Sequence, residues 1–328
     1  MQVAFITGGA GFIGSNFIRF ILNKNKELFI VNIDKLTYAG NLKNLESLKD
    51  HKSYRFFKED ICNSSGVQEL FEKYKPDYVV NFAAESHVDR SIQDSKAFVE
   101  TNILGTQVLL QAALQHGIKK FVQVSTDEVY GAGDSTAEFT ENSPLMPGNP
   151  YAASKAAADM LVLAYCHTYG LPGVITRCTN NFGPHQHKEK LIPLVIDKCL
   201  RGEKIPVYGD GLQIRDWMYV EDHCSAVLKV LEKGQTGEIY NISADNKMEN
   251  ITLIKEIMKQ VSVLLPNDDE RKLHINDSLI NYIEDRKGHD RGYYINADKL
   301  VEQLEWQPAH RFEEAFKHTI KWFVENCD

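Results

Sequence analysis

A series of short, nearly continuous apolar runs, separated by segments of helical spacing, constrains this chain more than any other feature. The runs at residues 3–7, 29–34, 78–84, 121–126 and 174–178 have almost no polar face. Strands of that kind must be covered on both sides, as in a parallel sheet. Helical patterns lie between them at residues 13–23 and 99–116, the second ending at Gly117 as a C-cap. Strand, helix and strand in repeated succession predict a doubly wound α/β sheet.

Beyond about residue 180 the pattern changes. Asn180-Asn181-Phe182-Gly183-Pro184 reads as a loop, and Pro193, Pro206, Gly209 and Gly211 divide the next stretch into short pieces. Helices are expected at 192–201, 220–232, 251–264 and 311–325, with an exposed polar turn at 266–270. Residues 239–242 form a further strand candidate that can return to the main sheet. One domain is therefore expected over residues 1–178, with a returning segment near 237–244, and a smaller one over 179–328.

The chain's 328 residues suit about two domains. Hydrophobic residues at 43% and charged residues at 25% are ordinary globular values, which exclude a disordered or collagenous chain. Lys and Arg number 37 against 45 Asp and Glu, a formal charge of −8 that disfavours a nucleic-acid partner. A small anionic ligand stays possible, because a few cations and one helix end can hold it. Cys62, Cys166, Cys178, Cys199, Cys224 and Cys327 are scattered without zinc-ligand spacing, so free thiols are expected. The start Gln2-Val3-Ala4-Phe5-Ile6-Thr7 has no basic n-region, and no apolar run approaches the roughly 18 residues of a membrane span. A soluble, cytoplasmic protein is expected.

Thr7-Gly8-Gly9-Ala10-Gly11-Phe12-Ile13-Gly14 joins the first strand to the first helix. Gly8 allows a tight turn, Gly11 lets backbone approach a pyrophosphate, and Gly14 lets helix and strand pack closely. The helix N-terminus then faces the phosphates. Asp34 ends the second strand, where an acid accepts hydrogen bonds from an adenosine ribose and repels a 2′-phosphate. Dinucleotide binding is the consequence, with NAD favoured over NADP; Lys35 is the one residue that argues the other way.

Tyr151-Ala152-Ala153-Ser154-Lys155 sets a phenol and an ammonium on one helix face. A nearby cation is expected to lower the phenol's pKa from its reference near 10. YxxxK alone is commonly a solvated pair. Here the glycine turn lies upstream, and Ser125-Thr126 ends a strand whose carboxyl edge is where doubly wound sheets bind ligands.

With these residues the sequence resembles the extended short-chain dehydrogenase/reductases that act on nucleotide sugars. Ser125-Thr126-Asp127-Glu128-Val129-Tyr130-Gly131 narrows the resemblance to their nucleotide-sugar 4,6-dehydratases, in particular those acting on dTDP-glucose. The sugar epimerases of the superfamily lack the Asp-Glu pair. The resemblance implies a Rossmann-like doubly wound parallel sheet with a smaller α/β C-terminal substrate-binding domain. It implies a lyase in deoxysugar biosynthesis: NAD-dependent oxidation at C4, elimination of water across C5 and C6, and hydride return to C6. Thr126, Tyr151 and Lys155 would form the triad, with Glu128 the base at C5 and Asp127 the acid at C6. Asp127 must then hold a proton near neutral pH, which requires a raised pKa.

The resemblance also implies the cofactor contacts. They are Gly8, Gly11, Phe12, Ile13 and Gly14, the run Asp34, Lys35, Leu36 and Thr37, then Asp60, Ile61, Ala83, Ala84, Ser86, Thr101, Tyr151, Lys155 and Asn181. The implied sugar-nucleotide contacts are Ser86, His87, Thr126, Asp127, Asn180, Glu189, Lys190, Leu191, Pro206, Tyr208, Arg215, Asn250, Arg286 and His289. Lys190, Arg215 and Arg286 would serve a diphosphate, arginine in bidentate fashion, and Tyr208 offers a flat face to a pyrimidine. Lys188 and Lys287 stand where the family usually has proline, and Arg291-Gly292-Tyr293-Tyr294 is slightly off pattern. His185, His187 and Glu189 invite a metal-site reading, but this chemistry calls for no metal. A homodimer joined through residues 99–116 and 152–169 is implied by the resemblance alone. The alternatives are a dehydratase of another nucleotide hexose such as UDP-glucose, a nucleotide-sugar 4-epimerase, or a catalytically silent NAD-binding module.

Overall fold

A computed structural model describes residues 1–132, 138–292 and 294–326; Cys327 and Tyr293 lie outside the described residues. The chain runs β1 (Gln2–Thr7), α1 (Phe12–Lys24), β2 (Leu28–Ile33), β3 (Tyr54–Phe57), α2 (Ser64–Tyr74) and β4 (Tyr78–Asn81). Next come α3 (Val88–Gln93), α4 (Lys96–Phe98), a π-helical stretch (Val99–Gly105), α5 (Thr106–His116), β5 (Lys120–Thr126), α6 (Pro150–Tyr169) and β6 (Gly173–Cys178). These strands and one later strand form a seven-stranded sheet. That later strand belongs to the remaining run: β7 (Asn180–Phe182), α7 (Leu191–Arg201), β8 (Ile205–Tyr208), β9 (Ile214–Tyr219), α8 (Val220–Lys233) and β10 (Ile239–Ile242). The chain ends with β11 (Lys247–Glu249), α9 (Asn250–Leu264), β12 (Ile280–Ile283), α10 (Asp298–Leu304) and α11 (Phe312–Asn326).

The strand order is β10-β6-β5-β4-β1-β2-β3, and every pairing is parallel. Alternation along each strand divides its side chains between two cores. Ala4, Ile6, Ile30, Val80 and Val122 face the layer that includes α1 and α8, whereas Phe5, Val31, Val79 and Phe121 face α2, α5 and α6. Both faces are dry, so the runs read as continuously apolar. Each fully buried Phe or Ile contributes about 1.5–3 kcal/mol. β10 pairs with β6, Ile239 opposite Ile175, so the chain crosses back after its excursion.

Some sequence expectations change. Residues 180–182 form β7, which pairs in parallel with β9, where the local composition predicts a loop. The strand expected over 78–84 stops at Asn81, because residues 82–84 turn out of the sheet across the glycine turn. The helix expected over 99–116 is π-helical in its first part, Val99–Gly105, and such turns often lie at functional sites. Outside the main sheet, β7, β9 and β11 form one small sheet, and β8 and β12 another.

Candidate active site

The chain enters from β1 onto β2 on one side and reaches β4 on the other, a topological switch point where ligands bind in such sheets. A cavity of about 290 Å³ lies there, along the carboxyl edge of the sheet. Gly8 has φ +67, and a Cβ on it would lie 2.6 Å from the Ala83 backbone nitrogen across the switch point. A Cβ on Gly14 would lie 2.4 Å from the Gly8 carbonyl oxygen. Neither position admits a side chain, so α1 starts directly beneath the cavity. Gly11 is its N-cap and makes no side-chain cap bond, leaving the first amides of α1 free to serve an anion. Gly11, Phe12, Ile13 and Gly14 all line the space.

Asp34 stands at the end of β2. One carboxylate oxygen accepts from Ala10 N at 2.9 Å, the other from Leu36 N at 2.8 Å. That fixes the carboxylate at the cavity wall, and burial pushes its pKa up against those two bonds. Leu36 adopts φ +59 to make this turn, and it does not itself line the cavity. Lys35 ion-pairs with Asp60 at 3.0 Å, so its charge is already engaged. Thr37, Asp60, Ile61, Ala83, Ala84, Ser86, Thr101 and Asn181 line the same cavity. The wall also includes Thr179, Asn181 and Gln186, whose Oγ1, Oδ1 and Oε1 atoms are buried without a partner among the described residues. Buried polar oxygens aimed into a cleft need donors. A dinucleotide with its amide, ribose hydroxyls and pyrophosphate fits this lining.

At the other end of the cavity, β5 delivers Thr126 as the cap of a short 3-10 turn, Asp127–Tyr130. Thr126 Oγ1 accepts from Glu128 N at 3.3 Å and donates to an Asp127 carboxylate oxygen at 3.1 Å. Asp127 is 3% exposed. Burial first, and then the Glu128 carboxylate, push its pKa up to about 8. Glu128 is also raised by burial, but the Arg215 cation and a hydrogen bond from Asn149 oppose that shift. Arg215 opposes the shift of both carboxyls, and what differentiates them is the Glu128 charge acting on Asp127, which holds its proton near neutral pH, and the Asn149 bond that favours the charge of Glu128.

Tyr151 and Lys155 arrive on α6. Lys155 Nζ donates to the Val124 carbonyl at 2.7 Å, and burial lowers its pKa. The expected lowering of Tyr151 by Lys155 is not what this arrangement gives. Burial, Glu128 and Cys178 hold the phenol well above its ordinary value, and a hydrogen bond with Thr126 is the chief opposing influence. The lysine sits four residues along but is turned to a carbonyl of β5, so spacing alone misjudged its partner.

The candidate sugar-nucleotide residues fall into two groups. Ser86, Thr126, Asp127, Asn180, Glu189 and Lys190 line the cavity. Lys190, expected to serve a diphosphate, donates to the Ser86 carbonyl at 3.0 Å. Glu189 lies 3.6 Å from both His87 and His187 and 3.3 Å from Arg90. Among the described residues no group of three or more His, Cys, Asp or Glu side chains is arranged to hold a metal; His185 instead rests on Trp322 with ring centroids 4.7 Å apart. His87, Leu191, Pro206, Tyr208, Arg215, Asn250, Arg286 and His289 lie outside the cavity lining. Tyr208 and Arg286 converge on Asp89: Arg286 Nε is 2.5 Å from one carboxylate oxygen, and Tyr208 OH donates to the other at 3.3 Å. His289 pairs with Asp285 at 2.6 Å. Arg215 is buried, donates to the Asp290 carbonyl at 3.0 Å, and directs its charge at Asp127 and Glu128. Asn250 opens α9, its amide bonded to the Gln213 carbonyl. Leu191 begins α7, and Pro206 lies in β8 opposite Asn281.

Sequence reasoning overlooked Asp89, Asn149, Thr179 and Gln186. For Asn149 a local signal existed: an Asn directly before Pro150 at a helix start is a capping pattern. The other three carry no local signal.

The family described as GDP-mannose 4,6 dehydratase matches residues 5–319 of the chain. A dTDP-glucose 4,6-dehydratase of Xanthomonas campestris pv. campestris (strain B100) is 46% identical, with 99% of this chain and 94% of the relative covered. The crystal structure of DesIV, a dTDP-glucose 4,6-dehydratase of Streptomyces venezuelae with NAD and TYD bound, superposes with a TM-score of 0.93. It is 41% identical, with 99% of this chain and 98% of that one covered. A dTDP-glucose 4,6-dehydratase from Bacillus anthracis str. Ames in complex with NAD gives 0.88 at 44% identity, covering 99% and 97%.

Proposed function

Because the chain belongs to the nucleotide-sugar 4,6-dehydratase family, and to its dTDP-glucose members by similarity, we propose that it converts dTDP-glucose to dTDP-4-keto-6-deoxyglucose and water. It is an NAD-dependent hydro-lyase. Thr126 and Tyr151 address the sugar C4 hydroxyl, and Tyr151 takes its proton. Held along the glycine turn and Asp34, NAD would supply a hydride acceptor and give the same hydride back, so the conversion would have no net oxidation. Lys155 and the Val124 carbonyl hold the end of α6 against β5. The 4-ketone acidifies C5–H, Glu128 removes that proton, and Asp127 protonates the departing C6 hydroxyl. General acid and base each contribute about 10²–10⁴ in rate.

The observation that carries this reading is the differentiated carboxyl pair, Asp127 raised to about 8 beside Glu128, directly behind Thr126. A C4 epimerisation uses neither group. The Lys35–Asp60 pair supports NAD over its 2′-phosphate, which would face Asp34 and an already neutralised lysine. Tyr208, Arg286 and His289 receive the nucleotide end, with Asn180 and Lys190 nearer the sugar. In domain terms, residues 1–178 with the β10 segment hold the cofactor, and 179–328 hold the sugar nucleotide. Val99, Leu104 and Met160 expose about half their surface on the two helical segments expected to pair, which supports a homodimer. Among the described residues five cysteines are free and no helix is long and apolar enough to cross a membrane; a reducing cytoplasmic setting belongs to the same reading.

The test is a panel of nucleotide hexoses incubated with the protein in D₂O and followed by NMR. dTDP-glucose should yield a C6 methyl group with deuterium at C5. A product inverted at C4 with its C6 hydroxyl intact would overturn the dehydratase reading.

A further inference from the structure

Asn149 is 7% exposed and stands at the N-cap of α6, two residues before Tyr151. Its side-chain amide makes two different bonds. Oδ1 accepts from the Ala152 amide at 2.9 Å, the capping bond. Nδ2 donates to Glu128 Oε2 at 3.3 Å. The cap fixes the sense of the amide: only oxygen can face the Ala152 N–H, so nitrogen must face the carboxylate. Pro150 comes next, at the first helical position, and restricts the backbone of Asn149 to extended conformations. The donor is therefore pre-aimed. We propose that Asn149 is a positioning residue for the elimination, holding the Glu128 carboxylate in place and tying it to the helix that carries Tyr151.

The inference rests on Glu128 being the C5 base. Capping alone does not demand an amide, since Asp caps as well as Asn, and Gly is only slightly poorer. What Asp and Gly cannot supply is the donor. The groups acting on Glu128 are Asp127 on its own turn, Tyr151 on α6, Arg215 on β9, Lys190 before α7 and Arg286 after β12. Of these, Arg215, Lys190 and Arg286 act on Glu128 through their charge, whereas Asn149 makes a directed bond to one oxygen. Fixing Oε2 leaves the other oxygen to face the substrate.

Asn149→Gly and Asn149→Asp separate the donor from the cap. In single turnovers with dTDP-glucose, the Gly variant should slow C5 deuterium incorporation and C6 methyl formation about tenfold, the range for a hydrogen bond to a charged group. Reduced-cofactor absorbance should then accumulate, because C4 oxidation proceeds while elimination lags. The Asp variant should slow elimination about a hundredfold and move the acidic limb of its pH profile upward, through repulsion of Glu128. Equal slowing of oxidation and elimination in both variants, with a fall in Tm, would reduce Asn149 to a helix cap and overturn the proposal. So would wild-type partitioning in both. Glu128→Gln, run in parallel, keeps the underlying reading separate: if that variant eliminates at the wild-type rate, Glu128 is not the base whatever Asn149 does.

Discussion

At the carboxyl end of β5, Asp127, Tyr151 and Lys155 are buried to nine-tenths or more and have their titrations governed first by burial. At the end proposed for the nucleotide, the Arg286 and Asp89 side chains keep about a quarter of their surface, and Asp285 nearly half. The first region shifts protonation by removing water, so each directed bond weighs heavily. The second balances charge with charge in partial contact with solvent, where screening leaves each pair worth little. One region holds a proton on a chosen atom, and the other pairs its charges at the solvent boundary.

That contrast can be broken at several points. The largest expected effect is at Glu128: the Gln variant should lose about 10²–10⁴ in dehydration while C4 oxidation survives, read as reduced cofactor without methyl formation. A loss of oxidation as well would show that the two steps are not separable here. Beneath the site, Arg177 is 1% exposed and pairs with Asp159 at 2.9 Å, also donating to Tyr130 OH. Arg177→Met removes the ion-pair partner of a buried carboxylate and should cost about 3–5 kcal/mol in urea unfolding, much of it recovered by Arg177→Met with Asp159→Leu.

Asp127 gives a pH test. Its proton is bound far more tightly in the fold than in the unfolded chain, whose ordinary value is 3.8. Its contribution to stability is therefore complete below that value and is lost as pH rises through about 8. The Asp127→Asn protein should show a flatter Tm profile across that window. Arg286→Lys, at the nucleotide end, should weaken dTDP binding about tenfold in calorimetry, because lysine cannot reproduce the fork. Asp285→Asn should change stability by no more than about 1 kcal/mol. If Arg286→Lys proved as damaging as Glu128→Gln, the contrast between the two regions would fail.

The legible part of the molecule is the part held by near neighbours. β1, β2, β5 and β6 announce themselves because both faces are covered, and the glycine turn because no Cβ fits at Gly8 or Gly14. β7 does not announce itself. Asn180 and Asn181 have poor strand propensity, and their extended state is imposed by pairing with Trp217 and Met218 on β9. Arg177 sits within an apolar run and gives no hint that Asp159, Tyr130 and Asn241 form a buried network around it. Asn149 reads as a cap, and its second bond depends on where β5 ends.

By itself the sequence determined the strand–helix succession, the phosphate-ready turn at α1, the four-residue step from Tyr151 to Lys155 and the Asp-Glu pair after Thr126. These are set by local sterics and by side-chain period. Only the tertiary structure decided that Lys155 bonds the Val124 carbonyl, that Lys35 is engaged by Asp60, that Arg215 faces the carboxyl pair, and that Asp127 keeps its proton to about pH 8. Protonation and ion pairing depend on distance and on the exclusion of water, and both are created here by segments far apart in the chain.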